Sequence, residues 1–98
     1  MIFMIRHVLL FKFYKDVSEE KKVEAITVLK SLGASVPEVR EWSIGRQCRP
    51  SEKNWDVAEV SSFENLESLD RFRNHPEHKR IAEMFSKISD WHIVDYEV

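Results

Sequence analysis

Between Ile2 and Phe13 the chain alternates as a strand whose two faces are both largely apolar: Phe3, Ile5, His7, Leu9, Phe11 and Phe13 fall on one, and Ile2, Met4, Arg6, Val8, Leu10 and Lys12 on the other. A strand of this kind needs cover on both sides. Helices of the same domain can supply one cover. The other has to come from outside the domain, and this requirement restricts the fold to a sheet with helices on one face and a partner on the other.

The rest of the chain supplies those elements. Asp16 or Ser18 opens a helix with Glu19 and Glu20 in its first turn, and Val23, Ile26, Leu29 and Leu32 recur at helical spacing until Gly33. Pro37 precedes a second strand, Val39 to Cys48, and the polar segment Arg49 to Asn54 turns the chain into a third, Trp55 to Phe63, so that the pair reads as a hairpin. Glu64 or Asn65 begins a short helix carrying Leu66, Leu69 and Phe72. After Pro76 a further helix sets His78, Ile81, Phe85 and Ile88 on one stripe. Trp91 to Val98, rich in aromatic and β-branched residues, closes the chain as a fourth strand.

The order βαββαβ with right-handed crossovers predicts an α+β fold, a ferredoxin-like sandwich over residues 1–98 as a single domain, with an antiparallel or mixed four-stranded sheet and helices on one face. The bare face would hold Val8 and Leu10 from the first strand with Val94 and Tyr96 from the last. Pairing two such faces predicts a homodimer through the sheet face opposite the helices, forming a dimeric α/β barrel.

Fifteen Lys and Arg against 17 Asp and Glu give a net charge of −2, which provides no basic field for nucleic acid or an anionic membrane. The segment Met1 to Phe13 is interrupted by Arg6, His7 and Lys12 and has no small-residue cleavage site after it, so it reads as neither a signal peptide nor a membrane span. Cys48, the single cysteine, builds no disulfide framework or zinc site, and a reducing, cytoplasmic location is expected. Gly45 belongs to no phosphate-binding loop, and no cofactor is expected.

Chemistry concentrates in the run Phe72, Arg73, Asn74, His75, Pro76, Glu77, His78. With Pro76 as the first helical residue, His75 becomes the N-cap and His78 the third helical residue, where orphan N–H groups and the positive end of the helix disfavour an imidazolium. A neutral imidazole can accept a proton at pH 7. His7 shares a strand face with Leu9 and Phe11. Asp56 alternates with Ala58 and Val60, and if the first and third strands are neighbours it could orient His7 or hold a water between His7 and His78. Leu9, Phe11, Ala58, Val60, Phe72, Ile81, Trp91 and Ile93 are expected to wall a pocket around these groups. Blander readings stand beside these: His78 as a core histidine bonded to the backbone, and Asp56 as a solvated strand-end carboxylate. His75, His78 and His7 could offer three nitrogens to a metal, but the cap position of His75 opposes their convergence and no metal site is expected.

The stretches Ile5 to Phe13, Val60 to Glu64, His75-Pro76-Glu77-His78 and Asp95-Tyr96-Glu97, in this order and spacing, resemble the stress-responsive A/B barrel family over nearly the whole chain. The resemblance implies a dimeric α/β barrel. A cofactor-free polyketide cyclase of that family uses the second histidine of its His-Pro-x-His run as base, which corresponds to His78, with a first-strand histidine beside the pocket at His7. Its pocket tyrosine falls on Phe72 and its third-strand histidine on Asp56, so the hydrogen bond of that tyrosine has no counterpart. The expected function is the binding of a small apolar or aromatic molecule between sheet and helices, with cofactor-free acid–base catalysis of lyase or cyclase type by His78, helped by His7 and Asp56. Two alternatives stand beside it: a non-catalytic stress-associated protein whose dimeric assembly is the function, and, on fold analogy alone, a cofactor-independent monooxygenase.

Overall fold

A computed structural model describes residues 3–98; Met1 and Ile2, the latter placed above on the outer face of the first strand, lie outside them. Four strands and three helices follow in the order β1 (Ile5–Phe13), α1 (Glu19–Ser35), β2 (Glu41–Arg46), β3 (Val57–Phe63), α2 (Leu66–Asn74), α3 (Pro76–Ser86) and β4 (Ser89–Glu97). The sheet order is β2-β3-β1-β4, and every pairing is antiparallel. This is the ferredoxin-like sandwich, with the sheet antiparallel throughout.

Local chemistry sets the element ends. Ser18 caps α1 by accepting from the Lys21 amide at 3.1 Å, and Glu19 and Glu20 complement the positive end of that helix. Ala25, Ile26, Leu29 and Leu32 form its buried stripe. Val23 is exposed instead, and the helix runs past Gly33 to Ser35. Gly33 is there for space: a Cβ at this position would stand 2.2 Å from Trp42 Cγ. Asn65 caps α2, accepting from the Ser68 amide at 2.8 Å. His75 caps α3, its Nδ1 accepting from the Glu77 amide at 3.1 Å, and Pro76 opens that helix. The chain therefore breaks between α2 and α3 where the histidine pair requires it.

Residues directly opposite in antiparallel strands point to the same face, so the register assigns every side chain. Ile5, His7, Leu9 and Phe11 of β1 face the helices, opposite Phe63, Ser61, Glu59 and Val57 of β3 and Glu97, Asp95, Ile93 and Trp91 of β4. Phenylalanines fill much of the space between sheet and helices, Phe63 lying 4.9 Å from Phe72 and Phe11 4.6 Å from Phe85 between ring centroids. The opposite face carries Val8 and Leu10 with Val60, Ala58, Val94 and Tyr96. Leu10, Val94 and Tyr96 are 41%, 60% and 43% exposed, an apolar surface on a single chain.

Two expected positions change face. Ala58 and Val60 pair with Leu10 and Val8, on the side away from the helices, and Val57 and Glu59 take the inward places. The inward face of β3 is partly polar, with Glu59 and Ser61, which inverts the hydrophobic alternation that would have announced it.

Candidate functional site

β1 and β4 form the floor of a cavity of about 200 Å³, and α1 and α3 form its roof. Leu9 and Phe11 come from β1, Trp91 and Ile93 from β4, Leu29 and Leu32 from α1, and Ile81, Ala82 and Phe85 from α3. The polar groups of the lining are His7, His78 and Arg73. Trp91 and Ile93 remain 36% and 39% exposed, so this wall of the cavity is partly open.

The expected site residues separate into three groups. His7, His78, Leu9, Phe11, Ile81, Trp91 and Ile93 converge on the cavity. Phe72 lies behind it, fully buried, its ring 4.7 Å from that of His78 at 69° and 6.3 Å from that of His7. Ala58, Val60 and Asp56 do not contribute. Asp56 Oδ2 accepts from the Phe13 amide at 2.8 Å, and the Asp56 amide donates to the Phe11 carbonyl at 2.8 Å, so the residue fastens the far end of β1. His7 sits six residues back along that strand, about 20 Å away at a typical strand rise. Asp56 therefore cannot orient it.

The partner of His7 is Asp95, its direct neighbour across the β1–β4 ladder, whose Oδ1 accepts from His7 Nδ1. The bond holds a proton on Nδ1 and leaves Nε2 as the free atom of a buried ring. Asp95 has the same strand parity as Trp91 and Ile93, and that parity was the signal that could have found it.

His78 has no such partner: its Nδ1 is buried without a hydrogen bond. Its pKa falls from 6.5 to about 4, chiefly through burial, with the charges of His7 and Arg73 acting in the same direction and the Arg73 main chain opposing. Neutrality thus comes first from desolvation. Glu59, also missed in the sequence, is buried beside Leu9 and accepts from Ser61 Oγ at 3.2 Å through Oε1, while Oε2 has no partner. Burial, together with the charge of Asp95, pushes its carboxyl up to about 8 against the Ser61 hydrogen bond, so it is mainly neutral at pH 7. Among the described residues no cluster of His, Cys, Asp and Glu could hold a metal ion, and no helix is long and apolar enough to cross a membrane.

An antiparallel sheet backed by helices, with two imidazoles in an apolar cavity between the layers, defines a small ferredoxin-like α/β sandwich with a built internal site. Residues 5–98 match the Stress responsive A/B Barrel Domain, and the chain belongs to that family. It is 27% identical over 96 residues to an uncharacterised protein of Streptomyces coelicolor, covering 96% of this chain and 99% of the relative. A dimeric protein of unknown function with a ferredoxin-like fold from Bacteroides fragilis is similar in structure, with a TM-score of 0.82, 28% identity and coverage of 97% of this chain and 96% of the other. A hydroxynitrile lyase from Passiflora edulis shares the fold with a TM-score of 0.87 at 19% identity, over 97% of this chain and 93% of the lyase.

Proposed function

We propose that the protein is a homodimer whose subunits each bind a small apolar or aromatic molecule between sheet and helices, and that His78 acts on it as a general base without a cofactor. The observation that carries this reading is the convergence of His7 and His78 on an otherwise largely apolar cavity. A cavity of about 150 Å³ accepts a benzene-sized molecule, so one near 200 Å³ has room for a substituted ring. Burial keeps His78 unprotonated at neutral pH and ready to accept a proton.

The proton leaves the ligand for the imidazole of His78, and the negative charge that develops on the ligand favours the resulting imidazolium. His7, oriented by Asp95 through Nδ1, is the second imidazole available to hydrogen-bond the ligand. This pairing suits reactions in which proton removal makes or breaks a carbon–carbon bond, the lyase or cyclase class. The hydroxynitrile lyase of the same fold works within that class. Phe72 has no hydroxyl to offer the base, so His7 carries the hydrogen-bonding role alone.

The test is turnover of aromatic cyanohydrins and aromatic β-diketones by the native protein and by His78→Gln. We expect the substitution to lower any turnover at least about a hundredfold with the fold retained. Equal turnover by both proteins would remove His78 from the chemistry.

A further inference from the structure

Arg73 is out of character for this cavity. Five of the seven arginines are paired with carboxylates: Arg6 with Glu41, Arg40 with Glu64, Arg46 with Glu19, Arg71 with Glu38 and Arg80 with Glu77. Arg73 lies in the last turn of α2 between two of these pairs, has no carboxylate partner among the described residues, and lines the cavity beside His78. Asp95 is committed to His7 and Glu77 to Arg80. Glu59 does not reach the lining. The one fixed positive charge in the cavity lining is thus left without a counter-ion among the described residues.

A guanidinium presents a planar fork of donors that matches a carboxylate, and such a pair gains strength beside low-dielectric walls. We infer that the ligand is an amphipathic acid: a single-ring or similarly sized apolar body in the cavity, with a carboxylate held at its rim by Arg73. This assignment rests on the ligand-binding reading above and names its substrate class. It places the acid group near His78 and the ring among Leu9, Phe11, Ile81 and Trp91.

Calorimetric titration of the native dimer with benzoate and phenylacetate, each against its neutral amide, tests the assignment. We expect the acids to bind at least roughly tenfold more tightly than the amides. Arg73→Gln should reduce that preference to within about twofold, and Arg73→Lys should keep part of it. Arg73 is exposed and unpaired, so neither change should disturb folding. Equal binding of acid and amide by the native protein, or an acid preference that survives in Arg73→Gln, would overturn the assignment and leave the pocket reading standing. Failure of acids and amides alike to bind would overturn both.

Discussion

Burial acts in opposite directions on the pKa values of two side chains. It holds His78 neutral by disfavouring its cation and holds Glu59 neutral by disfavouring its anion. For Glu59 the consequence is thermodynamic. In the unfolded chain the carboxyl ionises near 4.5, but in the folded protein only near 8, so the folded state retains a proton that the unfolded state releases. The stabilising contribution is complete below the lower value and is lost as pH rises toward the higher one. Glu59→Gln keeps an acceptor for Ser61 and cannot ionise. We predict that, relative to their difference at about pH 4, urea denaturation at about pH 8 finds the variant more stable by on the order of 4 kcal/mol. Parallel profiles would show that Glu59 titrates normally.

At the level of strands and helices, most of the architecture was legible because β1, α1 and the α2–α3 break carry local signals: two-faced alternation, a capped stripe, and a proline after a histidine cap. The phase of β3 was not. Its inward face holds Glu59 and Ser61 and its outward face Ala58 and Val60, so hydrophobicity favours the wrong orientation and only pairing with β1 corrects it. Seven expected site residues reached the cavity because they lie on elements whose phase was clear. Asp56 failed with its strand, and Asp95 and Glu59 went unseen because their importance depends on neighbours in space. Packing between α1 and β2 is similarly invisible in a single glycine. Gly33→Ala would drive a methyl group into the Trp42 indole, and we predict a loss of about 1–3 kcal/mol in thermal or chemical unfolding. A neutral outcome would mean that Trp42 has room to move.

For the whole molecule, the sheet has one face filled by helices and one face bare, and Leu10, Val94 and Tyr96 make the bare face apolar. We predict a dimer at micromolar concentration by light scattering, and a monomer when Val94→Glu is combined with Leu10→Glu, with like charges then meeting across the paired sheets. A native monomer would contradict the assembly. The cavity lies on the other side of the sheet, so the face proposed for association and the cavity proposed for chemistry are separate. In that cavity we propose His78 as a neutral imidazole open to a ligand. Nitrogen-15 NMR of the histidine rings, followed through pH with and without phenylacetate, measures it directly. We expect His78 to remain neutral down to about pH 4 in the free protein and its ring resonances to shift when phenylacetate is added. A His78 that titrates near 6.5 and does not respond to ligand would contradict it.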